Sequence, residues 1–286
     1  MPRDADPGTR GRKPFPAIPA RKRWGQHFLA APALAERILD AARLSTADTV
    51  LEVGPGDGAL TRGIAARCLR LAAVEIDPLR ADALAREFAG NPRVQIVRGD
   101  ILEKNYEEWL AGFGWDGPAV LIGNLPYNAA TPILSRAIEE PRAIARTVAT
   151  VQREVARRFA ARPGAAEYGY LSVRAAAFAR PRILFDLPPS AFRPQPKVVS
   201  SVLELSPRTP PLDPVLRGRA LHLASLGFRG RRKTLGNALA AAGPKAAWED
   251  ALAAIGKGAK ARAEELSLED YLELARRVPA QAETTA

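Results

Sequence analysis

The chain has 286 residues, 47 % of them hydrophobic and 26 % charged, a mix typical of one large folded domain or two modest ones. Its single cysteine, Cys68, excludes an internal disulfide framework, and with only two distant histidines, His27 and His222, no metal site is expected. The net charge of +11 favours a polyanionic partner, nucleic acid before an acidic membrane surface.

The N-terminal segment, residues 1–23, is rich in lysine, arginine and proline and lacks the apolar stretch of a secretory signal. Such a segment buries little surface, so we expect a disordered basic arm, either a loose contact for nucleic acid or an ordinary tail. No run of about 18 consecutive apolar residues occurs, so no membrane-spanning helix is expected. We therefore expect a cytoplasmic protein without a membrane partner.

From residue 30 onward, apolar strand patterns alternate with the helical spacing of apolar residues. In chain order they predict a helix at 33–43, a strand at 49–53, a helix at 60–68, a strand at 71–76, a helix at 79–88, strands at 94–97, 119–122 and 144–152, a helix at 154–162, and β-rich runs at 183–186 and 198–205. This alternation predicts an α/β fold, with a mostly parallel sheet and helices on both faces. We expect the last two runs to form an antiparallel pair at the sheet edge, because only a proline-rich loop separates them.

The composition changes at residues 206–214, which include four prolines. The patterns beyond this stretch predict only helices, at 215–226, 234–242, 246–254 and 268–277. We therefore expect two folded units after the arm, a sheet domain at 24–206 and a small all-helical domain at 207–286.

A glycine-rich turn, Gly54-Pro55-Gly56-Asp57-Gly58, joins the first predicted strand to a helix. Glycine lets the backbone approach a ligand closely, and the helix presents free N–H groups. Glu75 and Asp100 lie at the ends of the next two strands, where they can accept ribose hydroxyls and an adenine amine. Since the turn is not G-x-G-x-x-G and no P-loop lysine follows, the pattern favours S-adenosylmethionine (SAM) over NAD or ATP. A tight turn without a ligand is the alternative.

The fourth predicted strand ends in the loop Asn124-Leu125-Pro126-Tyr127. The Asn124 side-chain oxygen and a backbone carbonyl at Leu125 or Pro126 can accept both hydrogens of an exocyclic amine. That favours a pyramidal nitrogen with its lone pair aimed at a methyl donor. Tyr127 offers a ring on which a flipped-out base stacks. The alternative is a strand-ending turn with a packed tyrosine.

The chain resembles the ribosomal RNA adenine N6-dimethyltransferases, specifically the kasugamycin-sensitivity type that modifies small-subunit rRNA. The resemblance covers most of the chain from residue 21. It rests on an ordered set of motifs: KRWGQHFL at 22–29, the Gly54 turn, VEID at 74–77, GD at 99–100, NLPY at 124–127, QREV at 152–155, YGYLSV at 168–173, FRPQPKV at 192–198 and RRKTL at 231–235.

The resemblance implies a Rossmann-like SAM-dependent methyltransferase sheet with a C-terminal helical domain, and it implies roles for matching positions. The expected cofactor-binding residues are Gln26, His27, Leu29, Gly54, Gly56, Glu75, Asp100, Ile101 and Asn124. The expected catalytic set is Asn124, Leu125, Pro126, Tyr127 and Phe192, with Phe192 as the second aromatic wall of the base pocket. His27 is assigned to binding rather than proton transfer, because attack on a sulfonium methyl needs no general base, and no metal is required.

Positive charge concentrates at the start of the predicted helical domain, where we expect phosphate contacts. The residues expected to bind RNA are Arg217, Arg229, Arg231, Arg232 and Lys233. A solvated basic face is the alternative. Three positions depart from the family pattern, Tyr170, Val199 and Gly236; they bear on RNA contact and leave the methyl-transfer residues unchanged.

The leading hypothesis is SAM-dependent dimethylation of N6 on two adjacent adenosines near the 3′ end of small-subunit (16S) rRNA, by a monomer that also takes part in small-subunit biogenesis. A macrolide-resistance type acting on large-subunit rRNA is the nearest rival, and a DNA adenine methyltransferase is a weaker one. A non-catalytic RNA-binding factor on the same fold is a hypothesis of another class. It predicts loss of the Gly54 turn, Glu75, Asp100 or Asn124, and all are present.

Overall fold

A computed structural model describes Ile18, residues 25–230 and residues 232–278. Apart from Ile18, the predicted arm at 1–23 lies outside the described residues, as do Trp24 and Arg231. The elements are, in chain order, β1 (Phe28–Leu29), α1 (Pro32–Ala42), β2 (Thr49–Val53), α2 (Thr61–Arg67), β3 (Arg70–Glu75), α3 (Pro78–Phe88), β4 (Val94–Arg98), α4 (Tyr106–Gly112), β5 (Ala119–Asn124), α5 (Ala130–Glu139), β6 (Ile144–Gln152), α6 (Arg153–Ala160), α7 (Tyr170–Phe178), β7 (Ala179–Leu187), β8 (Phe192–Arg193), β9 (Ser200–Pro207), α8 (Pro214–Arg229), α9 (Leu235–Ala238), α10 (Lys245–Ala254) and α11 (Leu268–Arg277).

Seven strands form one sheet in the order β4-β3-β2-β5-β6-β9-β7. The first five strands in this order, β4-β3-β2-β5-β6, pair in parallel with their neighbours. Strand β9 is antiparallel to both β6 and β7. The predicted antiparallel pair at the sheet edge is therefore confirmed. Strands β1 and β8 form a separate two-stranded sheet.

Helices cover both faces of the large sheet, as the alternation predicts. Successive side chains of a strand point to opposite faces. On β2, Leu51 belongs to an apolar cluster with residues of α4, α5 and α6, whereas Val50 belongs to another cluster with residues of α1 and α2. The order and layering confirm the predicted Rossmann-like α/β class.

A third apolar cluster joins the C-terminal helices to α7. Tyr168, just before α7, donates a hydrogen bond from its hydroxyl to the Leu266 carbonyl at 2.7 Å. Val173 and Ala177 on α7 pack in the same cluster as Trp248 and residues of α8 and α11. The helical core thus includes a helix that precedes the proline-rich stretch, and the boundary at 206/207 stays a prediction.

Several elements differ from the sequence pattern. The helix predicted at 234–242 is divided into α9 and a 3-10 turn, Leu239–Ala242. Helices α4, α5 and α7 have no counterpart among the predicted elements. Helix α4 begins at a reciprocal cap, in which Asn105 and Glu108 each accept the other's backbone N–H. In the described part of the chain, no helix has the length and apolar character that crossing a membrane requires.

Candidate active site

Four neighbouring parallel strands, β2 to β5, end at the same edge of the sheet. Their C-terminal ends carry, in chain order, Gly54, Glu75, Asp100 and Asn124. Parallel strands place such residues side by side, and open α/β sheets bind ligands at this edge. The structure therefore brings the sequence-predicted residues together in one cleft.

Three adjoining cavities make up this cleft, and Gly54 lines all of them. The first is lined by Gln26, His27, Gly56, Glu75, Ile76 and the loop 124–127. The second is lined by Ile76, Asp100, Ile101 and Pro126, among others. The third is lined by Phe28, Leu29, Glu52, Asp57 and Asn124, among others. Every residue predicted to bind the cofactor lines at least one of them.

The glycine turn after β2 needs its glycines for two different reasons. Gly54 has φ +67°, and a Cβ built there has no atom within 4 Å, so its backbone faces open space in the cleft. Gly56 has φ +59°, and a Cβ there would lie 2.8 Å from the Phe28 ring. The first glycine thus leaves room for a ligand, and the second leaves room for a neighbouring side chain.

Glu75 is buried, and each of its carboxylate oxygens accepts one backbone N–H. Oε2 accepts from Gly56 and Oε1 from Asp77, both at 2.9 Å. Burial raises the pKa of Glu75, and these two donors oppose the rise. The bonds fix the carboxylate at the cavity wall, and each oxygen keeps a lone pair for another donor.

Asp100 lies directly after β4 and caps a 3-10 turn, Ile101–Glu103. Its Oδ1 accepts the Leu102 N–H at 2.9 Å. Ile101 and the partly exposed Ile76 give the second cavity apolar walls beside this carboxylate. An acidic acceptor next to apolar surface suits a planar base with an exocyclic amine.

The Asn124 amide has a defined orientation. Its Nδ2 donates to the backbone carbonyl of His27 at 2.6 Å, which leaves Oδ1 as the free acceptor. In the same loop, the Pro126 carbonyl accepts the N–H groups of Ala129 and Ala130, both at 3.0 Å. Because the Pro126 carbonyl is engaged in starting α5, the Leu125 carbonyl is the better second acceptor.

Tyr127 is held at both ends of its side chain. Its ring stacks with the His27 ring at a centroid distance of 5.1 Å, and its hydroxyl shares a 2.7 Å hydrogen bond with Ser200. Burial raises the pKa of Tyr127, so the hydroxyl stays protonated at neutral pH. The His27 Nδ1 lies 2.6 Å from the Pro194 carbonyl and therefore carries the proton.

The structure does not bring Phe192 to the cleft. The side chain is 2 % exposed and packs in the apolar cluster that includes Ile38 and Ile64, and it lines none of the three cavities. Strand β8 pairs with β1, opposite Leu29, and this pairing seats Phe192 in the core. The ring that does lie on Tyr127 is that of His27.

Glu52 is a cleft residue to which none of the sequence motifs assigns a role. It is 1 % exposed on β2, lines the third cavity, and its Oε2 has no hydrogen-bond partner among the described residues. Burial raises the pKa of Glu52 to about 8, while the neighbouring Thr61 hydroxyl lowers it. An acidic residue within an apolar strand, two positions before the glycine turn, is the signal that could have found it.

The candidate RNA-binding residues lie on α8 and just after it, away from the three cavities. Arg229, Arg232 and Lys233 are exposed, whereas the Arg217 guanidinium lies over the Phe178 ring at 4.4 Å. Arg231 is outside the described residues. Within the described part of the chain, no group of three His, Cys, Asp or Glu side chains could hold a metal ion.

A sheet of this order, with a glycine turn, two acidic strand ends and an Asn-Leu-Pro-Tyr loop around one cleft, defines a Rossmann-like methyltransferase. The profile of the ribosomal RNA adenine dimethylase family matches residues 18–279, and the chain belongs to that family. The resemblance carried by the sequence motifs is therefore confirmed, as is the enzyme class.

Individual relatives agree with this membership. The chain is 42 % identical over 274 residues to the ribosomal RNA small subunit methyltransferase A of Rubrobacter xylanophilus, covering 95 % of this chain and 98 % of the relative. It is 40 % identical over 272 residues to the protein of that name from Synechococcus sp. strain JA-3-3Ab, covering 91 % and 92 %. Among solved structures, the 23S rRNA methyltransferase ErmE has a TM-score of 0.71 at 29 % identity, covering 87 % of this chain and 98 % of ErmE. A dimethyladenosine transferase from Plasmodium falciparum shares the fold, with a TM-score of 0.71, 21 % identity and coverage of 87 % and 96 %.

Proposed function

We propose that the protein transfers methyl groups from SAM to N6 of two adjacent adenosines near the 3′ end of small-subunit (16S) rRNA. The orientation of the Asn124 amide carries the proposal. Its Nδ2 donates to the His27 carbonyl, so Oδ1 is available to accept from a ligand donor such as an exocyclic amine. The loop lies beside the cavities where a nucleoside cofactor fits.

The residues of the cleft fit SAM in three respects. The open space at Gly54 admits a ligand against the backbone, the fixed Glu75 carboxylate suits two ribose hydroxyls, and Asp100 between apolar walls suits adenine. When bound, SAM supplies an electrophilic methyl group on a sulfonium. Gln26, His27 and Leu29 line the cavities nearest Asn124 and would hold the remaining part of the cofactor.

The chain's own residues prepare the target amine. The lone pair of an aromatic amine is delocalised into its ring, which makes it a poor nucleophile. Asn124 Oδ1 and the Leu125 carbonyl accept the two amine hydrogens and favour a pyramidal nitrogen whose lone pair is free. Tyr127 supplies a face for an extruded base, since its ring lines the first cavity. After each transfer the nitrogen loses one proton to water, so the monomethyl amine enters the second transfer with one hydrogen left for an acceptor and with its lone pair again as the nucleophile.

The choice of small-subunit rRNA rests on degree of similarity. Relatives named for the small subunit are about 40 % identical to this chain over nine-tenths of its length, whereas ErmE, named for 23S rRNA, is 29 % identical. The target must be unpaired or extruded to reach Asn124, and the exposed residues Arg229, Arg232 and Lys233 would hold RNA phosphates. We further propose that the protein is cytoplasmic and monomeric and contributes to small-subunit biogenesis.

The decisive experiment incubates the purified protein with SAM and, separately, with unmodified small and large ribosomal subunits. N6,N6-dimethyladenosine is then measured in digested RNA by mass spectrometry. We expect product on the small subunit alone. Product on the large subunit would place the substrate with the rival type, and no product on either would refute the enzymatic proposal.

Asn124→Ala separates chemistry from binding. The variant removes the amide acceptor, so methylation should fall by about 100-fold or more, while subunit binding remains. Asn91→Ala is a matched control, since the Asn91 side chain accepts the Arg93 N–H in a turn before β4, away from the cleft. Wild-type methylation by Asn124→Ala would defeat the assignment.

A further inference from the structure

A buried arginine at the start of α3 contacts both sides of the cofactor cleft. Arg80 is 1 % exposed, and its guanidinium forms an ion pair with Asp57 of the glycine turn. Its Nε lies 3.7 Å from Asp77 Oδ2, at the end of the strand that carries Glu75. A fully buried arginine is rare unless it is paired, and here the two carboxylates compensate its charge.

Arg80 also holds residues that precede the sheet. Its Nη2 donates to the Ile18 carbonyl at 2.6 Å, and its Cζ lies 4.0 Å from the centroid of the Phe28 ring. One edge of that ring lies against Gly56, where a Cβ would come within 2.8 Å. The Phe28 ring thus contacts both the Arg80 guanidinium and the glycine turn.

These contacts reach the groups that would bind SAM and the target amine. The Gly56 N–H donates to Glu75, so the turn that Arg80 fixes also orients that carboxylate. Phe28 follows His27, whose carbonyl orients the Asn124 amide. Arg80 is therefore linked to both Glu75 and Asn124, in each case through the chain neighbour of a residue that it contacts.

We infer that Arg80 is a positioning residue for methyl transfer, which assembles the cofactor cleft by joining the glycine turn to the segment that carries His27 and Phe28. This inference rests on the proposed function. Arg80 lines none of the three cavities, so its effect is exerted through Asp57 and Phe28. A planar, delocalised guanidinium suits this place, since it faces a ring and two carboxylates at once.

The test compares Arg80→Met with Arg146→Met. Arg146 is also mostly buried, donates to the Arg43 carbonyl at 3.1 Å and pairs with Asp48 at 3.7 Å, but it lies near the opposite, N-terminal end of β2. We expect Arg80→Met to raise the KM for SAM about tenfold or more while the KM for RNA changes little. Arg146→Met should lose stability without changing the KM for SAM, and Arg80→Lys should recover only part of the loss.

Two further variants cover the case in which Arg80→Met does not fold. Asp57→Asn removes the charged partner in the glycine turn, and Phe28→Leu removes the ring that the guanidinium contacts. Each variant should raise the KM for SAM and weaken binding of S-adenosylhomocysteine in calorimetry. Equal KM values for these variants and Arg146→Met would overturn the inference. If wild type binds neither SAM nor S-adenosylhomocysteine and methylates nothing, the proposed function fails instead.

Discussion

Replacing Glu52 by glutamine should change how stability depends on pH. The folded protein raises the pKa of Glu52 from 4.5 to about 8. One pKa unit corresponds to about 1.4 kcal/mol, so ionising this buried carboxyl costs the folded state at most about 5 kcal/mol. The folded state binds the Glu52 proton more tightly than the unfolded chain does, so the protonated side chain contributes stability. That stability is fully present below pH about 4.5 and is lost as the pH rises through about 8.

Glutamine has nearly the same shape as glutamate and cannot ionise, so Glu52→Gln should not lose this stability as the pH rises. Urea unfolding without a cofactor, at pH 4, 6.5 and 9, measures the free energy of unfolding of both proteins. We expect the variant to match wild type at pH 4 and to be the more stable protein at pH 9, by about 3 to 5 kcal/mol. Glu36→Gln, at an exposed carboxyl paired with Arg67, serves as the control and should follow wild type. Parallel curves for wild type and Glu52→Gln would refute the reasoning.

Three other predictions test the cleft and the basic surface. Gly56→Ala should lose about 1 to 2 kcal/mol of stability in thermal unfolding and bind SAM less well, because the φ of Gly56 is +59° and a Cβ there would meet Phe28. Gly90→Ala is the control, since a Cβ at Gly90 has no atom within 4 Å, and it should keep both stability and SAM binding. Equal effects of the two variants would contradict the steric argument. Tyr127→Phe should keep methylation and lose about 1 kcal/mol of stability, because it lacks the hydrogen bond to Ser200. Tyr127→Ala should lose methylation, and activity in this variant would exclude a role for Tyr127 in stacking on the target base. Replacing Arg229, Arg232 and Lys233 together by alanine should weaken the salt dependence of RNA binding. The slope of log affinity against log salt concentration should become shallower by about two units, and an unchanged slope would exclude phosphate contacts by these residues.

The strand ends could be predicted because their placement follows from local pattern and topology. Once β2, β3 and β5 are recognised as neighbouring parallel strands, Gly54, Glu75 and Asn124 must meet at one edge. The burial of Phe192 could not be predicted in this way. It follows from the pairing of Phe192 with Leu29 between β8 and β1, which are distant in sequence, and a two-residue strand leaves no periodic signal.

The unpredicted helix α7 illustrates a second limit. Its sequence, YLSVRAAAF, has almost no polar face. A pattern search expects one apolar stripe per helix, whereas α7 packs against the sheet through Ala175 and against the C-terminal helices through Val173 and Ala177. Because both faces of α7 are buried, the helix lacks the difference between an apolar and a polar face on which such a search depends.

That double packing also determines how the molecule comes apart. A helix shared by two cores couples them, because neither core can open without exposing apolar surface of the other. A fragment ending at residue 206 would leave Tyr168 without the Leu266 carbonyl and would expose the face of α7 that carries Val173. We therefore expect the methyltransferase sheet and the C-terminal helices to unfold in one cooperative transition, so that Arg229 at the end of α8 keeps its place relative to the cleft until the whole protein unfolds.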